Sequence, residues 1–121
     1  MTPVRTSRGR RPNVQSGYAR IQRTGHLVLH VDDLRRAGIS PEYPVTTYYD
    51  VGDGRITITE AINGTIHRWL QKYGGDGLYR LHIIEAIEML GVMSVRDAQG
   101  DYEVMVDGPE LYIDGVGDNC A

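Results

Sequence analysis

The segment from Val45 to Thr59 constrains the fold more than any other part of the chain. Val45-Thr-Thr-Tyr-Tyr-Asp-Val51 is β-prone at nearly every position, and Gly52-Asp-Gly54 is a turn signal. Arg55-Ile-Thr-Ile-Thr59 then alternates with period two. Strand, turn and strand are therefore expected, with Ile56 and Ile58 on one face. A single hairpin is marginal in water and must be covered by other elements. The chain is a mixed α+β protein on this reading, and the question becomes what covers the hairpin.

Upstream, Tyr18-Ala-Arg-Ile-Gln-Arg23 alternates as a first strand would, and Thr24-Gly25 breaks it. His26-Leu-Val-Leu-His-Val31 is rich in aliphatic and β-branched residues and reads as a buried strand. Asp32 is placed to cap a short helix over Asp33–Ala37, with Asp33 favourable in its first turn. Gly38 suits the position just past the helix end, and Ile39 can fold back onto it. Ser40–Pro44 is a loop holding two prolines.

Downstream the periodicity changes. Glu60–Tyr73 can form a helix with Ile62, Ile66, Trp69 and Leu70 on one face, weakened by Asn63-Gly64. After Gly74-Gly-Asp-Gly77, the apolar stripe Leu78, Leu81, Ile84, Ile87 and Met89/Leu90 predicts a helix over Leu78–Leu90 that stops at Gly91. Tyr102–Val106 and Leu111–Ile113 read as strands around an Asp107-Gly-Pro turn, and Gly115–Ala121 is expected to fray. Leu34–Thr59 and Ile87–Asp114 share an order of elements, helix, Gly-aliphatic stop, loop, strand, turn and strand. A degenerate second copy is one reading of that order, and a coincidental arrangement is the other.

Charge is divided unevenly. Residues 1–36 carry eight arginines against Asp32 and Asp33, a balance of +6, whereas the remaining residues sum to −9. This asymmetry points to an anion-binding N-terminal region on an acidic body. Residues 1–16 contain Arg5, Arg8, Arg10 and Arg11 among Pro, Ser, Gly and Asn, and read as a flexible basic arm. It is either a DNA-tracking tail or a merely solvated terminus.

Chemistry beyond binding finds little support. Cys120 is the single cysteine, so no intrachain disulfide can form, and no Cys/His spacing suggests zinc. His26 and His30 share a strand face but stand roughly 13 Å apart by the strand rise, too far for one metal ion. No phosphate loop, GxSxG, HExxH or cysteine nucleophile signature is present. The expectation is a protein without catalytic, cofactor or metal residues. No apolar run approaches the roughly 18 residues of a membrane span, and no secretory signal opens the chain. A soluble, cytoplasmic protein is expected.

The run Arg23-Thr-Gly-His-Leu-Val-Leu-His-Val-Asp-Asp-Leu-Arg-Arg-Ala-Gly-Ile39, with the hairpin that follows, resembles the AbrB/MazE/SpoVT family of swapped-hairpin transcription regulators. The resemblance covers residues 17–59 only. His30 stands where the family pattern has proline, and Asp33 where an apolar residue is common. It implies an intertwined homodimer, or a higher oligomer, whose exchanged hairpins present cations to DNA. Arg20, Arg23, His26, Arg35 and Arg36 are the implied contacts, with the arm arginines tracking alongside. Residues 60–115 would then be a dimerisation or partner-binding region, and 116–121 a disordered tail. Two other readings use the same residues: an antitoxin-like or virus-encoded module gripping a protein through residues 60–114, and an oligomerisation protein without DNA binding.

Overall fold

A computed structural model describes residues 14–61, 68–74, 77–91 and 95–116. The architecture is α+β, with nine short strands in two antiparallel sheets and three short helices among the described residues. The first half runs β1 (Tyr18–Ile21), β2 (His26–His30), α1 (Val31–Arg36), β3 (Val45–Asp50) and β4 (Arg55–Glu60). The second runs β5 (Gln71–Tyr73), β6 (Leu78–His82), α2 (Ile84–Met89), α3 (Val95–Ala98), β7 (Gly100–Glu103), β8 (Met105–Asp107) and β9 (Glu110–Ile113).

The expected hairpin is present. β3 and β4 pair from Val45↔Glu60 to Asp50↔Arg55, and Ile56 and Ile58 are fully buried. It is covered by strands of the second half, because β4 also pairs with β9, giving the sheet order β3-β4-β9-β8. The other sheet runs β5-β6-β2-β1-β7, again joining strands from both halves. One apolar cluster fills the space between, drawing Ala19, Ile21, Leu27 and Leu29 from one sheet and Ile56, Ile58, Leu111 and Ile113 from the other. Leu34 of α1 and Ile87 of α2 join it.

Four local expectations are corrected. Leu78–Leu90 is not one helix: Leu78–His82 is a strand on β2, and only Ile84–Met89 is helical. The apolar stripe has two sources. Leu78 packs on the outer sheet face with Val14 and Val28, whereas Leu81, Ile83 and Ile87 enter the main core. Of the expected helix over Glu60–Tyr73, the described residues are extended: Glu60 ends β4, Arg68 bridges to Val45, and Gln71–Tyr73 is β5; Ile62 and Ile66 lie outside the described residues. The strand expected over Tyr102–Val106 divides at Val104, whose N–H bonds to the Gly17 carbonyl at 2.9 Å, so the chain passes from one sheet to the other. Val116, expected to fray, is buried and donates to the Gly54 carbonyl at 2.9 Å.

Helix α1 begins two residues earlier than expected. Its N-cap is His30, whose Nδ1 accepts the Asp32 N–H at 3.0 Å, so Asp32 is inside the first turn. Its stop is as read: Gly38 takes φ +73°, Gly38 N–H bonds to Arg35 O at 3.0 Å, and Ile39 N–H bonds to Leu34 O at 2.9 Å. These are the two bonds of a Schellman motif, and Ile39 is buried beside them.

The hairpin-and-helix run of the first half has a counterpart in the second, and the two lock reciprocally. Val31 N–H, entering α1, bonds to the Gly77 carbonyl at 2.8 Å, and Ile83 N–H, entering α2, bonds to the Gly25 carbonyl at 2.9 Å. Gly25 and Gly77 both have positive φ, +89° and +79°. A Cβ on Gly25 would lie 3.2 Å from the Ile84 Cβ, and one on Gly77 would lie 3.1 Å from the Val31 Cγ1. Each turn therefore admits glycine twice over, by conformation and by the close approach of the other half's helix.

Candidate nucleic-acid interface

The cations of the first half do not form one cluster. Arg23 sits in the β1–β2 turn and Arg35 and Arg36 near the end of α1, with the length of β2 between them. Four residue steps from His26 to His30 span about 13 Å. Of the implied contacts, Arg23 and His26 stand at one end of β2 and Arg35 and Arg36 at the other. The two ends of β2 are different surfaces.

At the α1 end the organising group is Asp33, whose side chain is fully buried. Its two carboxylate oxygens accept the Gly17 N–H at 3.1 and 3.0 Å, and Oδ1 also accepts the Ser16 hydroxyl at 3.3 Å and the Arg36 guanidinium at 2.5 Å. A carboxylate this deep in the protein needs such partners, because burial of an unpaired charge is prohibitive. The consequence is positional. The segment Val14–Gly17 is fastened against α1, with Val14 packed on Val28 and Leu78. Val14–Gly17, expected at the end of the flexible arm, are therefore part of the fold beside α1, while Arg5, Arg8, Arg10 and Arg11 lie outside the described residues.

Arg36 keeps a half-exposed side chain while bonded to Asp33, and Arg35 is 73% exposed with a long 3.7 Å approach to Asp32. The exposed Arg35 pairing costs little to exchange for a phosphate contact, whereas Arg36 stays on buried Asp33 and offers the exposed part of its guanidinium group. Both guanidinium groups lie in the last turn of α1, where their charge is also favourable to the helix dipole.

At the other end of β2, Arg23 is exposed. His26 stands directly across from His82, with ring centroids 5.1 Å apart and edge-on. The Thr24 hydroxyl and His26 Nδ1 are 2.7 Å apart. Burial lowers the His26 pKa below its usual value, and the charges of Arg80 and His82 lower it further, so His26 is a poor cation at neutral pH. The adjoining Gly25 abuts Ile84 of α2, which exposes Glu88 and a Glu85 paired with Arg68.

Arg20 is engaged in the fold. Its Nε donates to Asp101 Oδ1 at 2.7 Å and its Nη2 to Oδ2 at 3.2 Å, a fork across β1 and β7, and its side chain is 11% exposed. The hydrogen bond to Asp101 raises its pKa beyond the usual arginine value. The geometry gives it a structural part, and the sequence signal for that was Asp101 on the strand opposite, visible only once the pairing is known.

Sequence reasoning missed Asp33 as a tether and Arg80, which stacks over Tyr73 at 5.6 Å while the Tyr73 hydroxyl accepts from Gln22 at 2.9 Å. Among the described residues, no three His, Cys, Asp or Glu side chains are placed to share a metal ion, and no helix is long and apolar enough to cross a membrane. Comparison with known protein families, characterised proteins and solved structures found no match to this chain.

Proposed function

We propose that the chain is a DNA-binding transcription regulator that docks through the α1 end of its N-terminal half. One observation carries the reading: the Asp33 tether brings the root of the arginine-rich segment to the helix that exposes Arg35 and Arg36. Phosphate contacts from exposed arginines on a short helix, continued by a basic segment, supply the sequence-independent part of DNA affinity. The finer architecture belongs to the same proposal: a swapped-hairpin unit of the AbrB/MazE kind, in which β2 exchanges pairing with β6.

Fluorescence polarisation against duplex DNA at about 50 and 200 mM salt tests the reading. Binding should weaken steeply with salt, and Arg35→Ala/Arg36→Ala should lose roughly tenfold or more in affinity and flatten the salt dependence, since each lost phosphate contact reduces the slope by about one. Salt-insensitive or absent binding by the unaltered chain defeats it.

A second reading has its own observation. Trp69 is 61% and Met89 56% exposed, and the Arg68–Glu85 ion pair joins the Trp69 segment to α2. Exposed aromatic and methionine side chains beside carboxylates suit a cationic protein partner. Under this reading Trp69→Ala, and not Arg35→Ala, would abolish capture of that partner in a pull-down.

A further inference from the structure

We infer that the chain holds two copies of one hairpin–helix–hairpin unit, related by an internal two-fold axis, and that only the α1 pole docks on DNA, so that a single chain reads one short, non-palindromic duplex site. The DNA part rests on the function proposed above.

The two-fold relation is carried by both sheets independently. In the first, the central pair of β2 and β6 is Val28↔Arg80, and a shift of 52 positions maps Val28 onto Arg80, Gly25 onto Gly77 and Val31 onto Ile83. In the second, the central pair of β4 and β9 is Thr57↔Tyr112, and a shift of 55 maps Thr57 onto Tyr112 and buried Ile56 and Ile58 onto buried Leu111 and Ile113. A contact in which each residue meets its own counterpart is the mark of an isologous, two-fold interface. The helices agree at a shift of 53. Ala37 N–H bonds to Asp33 and Leu34 carbonyls as Leu90 N–H bonds to those of Ala86 and Ile87, and Gly38 to Arg35 as Gly91 to Glu88. The reciprocal bonds Val31–Gly77 and Ile83–Gly25 exchange the same two roles between the halves.

This frame assigns each pole one half's helix and the other half's turn, because Gly77 abuts Val31 and Gly25 abuts Ile84. Charges at several matched positions are not kept. Arg35 and Arg36 of α1 correspond to Glu88 and Met89 of α2, and the tether Asp33 corresponds to Ala86. The α2 helix thus carries neither an arginine pair nor a counterpart of the tether at these positions, and its Glu85 is paired with Arg68. The backbone keeps a two-fold that the charges do not. Palindromic sites mirror a protein's two-fold symmetry, so a chain whose second helix lacks the matched arginines has no second half-site to read.

The test uses the full chain. Light scattering gives its mass, selection from random duplexes gives its site, and polarisation at stoichiometric concentration gives the ratio. A monomer that saturates at one chain per duplex, with a selected site lacking an inverted repeat, is expected. The exposed pair Glu88→Arg/Met89→Arg writes the α1 arginines onto the matched positions of α2. It should steepen the salt slope by about two and let one chain hold two duplexes, with circular dichroism unchanged. A dimer on an inverted repeat, or a Glu88→Arg/Met89→Arg chain with unaltered slope and stoichiometry, overturns the inference while leaving DNA binding intact. Absence of any DNA binding by the unaltered chain overturns instead the function on which it rests.

Discussion

Asp33→Ala should be the most costly single change to a polar side chain in the first half. Its carboxylate is fully buried and accepts from the Gly17 N–H through both oxygens, from the Ser16 hydroxyl and from Arg36. A hydrogen bond to a charged group contributes about 1.5–3 kcal/mol, and removing its acceptor leaves the Gly17 N–H without that partner. The Arg36 pair, half exposed on the guanidinium side, adds only about 0.5 kcal/mol, and the 3.3 Å Ser16 contact adds less. The total is about 2–3.5 kcal/mol, a large share of the roughly 5–15 kcal/mol that holds a domain folded. At about 3–5 °C per kcal/mol for a chain of this size, the midpoint should fall by about 10 °C. Asp33→Asn retains one acceptor oxygen for Gly17 and loses the charge, so it should cost about half as much. Urea unfolding with an unchanged m-value measures both. A loss below about 0.5 kcal/mol in Asp33→Ala would refute the tether.

The remaining predictions concern the fold around that site. Leu34→Ala and Ile87→Ala remove matched, fully buried side chains from one core, so each should cost about 2–4 kcal/mol by urea unfolding. Gly77→Ala forces a Cβ into positive φ and to 3.1 Å from Val31, so it should destabilise by well over the ~1 kcal/mol expected of Gly108→Ala, where φ is +62° and nothing lies within 4 Å. Thermal midpoints of the two variants decide this. For His26, burial and then Arg80 and His82 hold the folded pKa below the unfolded value near 6.5. The folded state therefore resists protonation, and stability is lost as pH falls through 6.5 and below. His26→Gln should remove that loss, so its melting temperature should gain on the unaltered chain between about pH 7.5 and 5.5 and hold a constant difference above it.

The first half was legible because its signals are local. Alternation in Arg55–Thr59, the Gly52–Gly54 turn, the Gly38 stop and the buried run Leu27–Leu29 each specify their element without reference to distant residues. The candidate site was legible only in its residue types. Arg35 and Arg36 are exposed on a helix, as charge runs usually are, but Arg20 could not be separated from Arg23 by sequence. The difference is Asp101, 81 positions away, which the β1–β7 pairing brings within 2.7 Å. Asp33 shows the same limit from the other side. An acid in a first helical turn reads as a dipole partner, and nothing local reveals that Gly17 returns to meet it.

The second half was misread because two periods run together in it. Leu78, Leu81 and Ile87 fall near a helical spacing, yet a strand buried on both faces also shows apolar residues at mixed parity. β6 is such a strand: Leu78 meets Val14 and Val28 outside, and Leu81 meets the core inside, as does Ile83 just past the strand. What decides between the readings is the partner strand, since β2 offers His26–His30 in register from His26↔His82 to His30↔Leu78. The structure supplies a rule that sequence spacing alone lacked. If Gly25 and Gly77 occupy the same turn, the residues after Gly77 must repeat the strand and then the helix that follow Gly25. Leu78–His82 then corresponds to His26–His30 and Ile84–Met89 to Val31–Arg36, the division the backbone adopts. A repeat searched from Gly38 and Gly91 alone begins at the helices and so leaves out β2 and β6, the strands that pair across the axis in the first sheet. The Gly25–Gly77 pair comes earlier in each unit and carries the stronger constraint, because each glycine is needed for contact with the other half's helix and not only for its own turn.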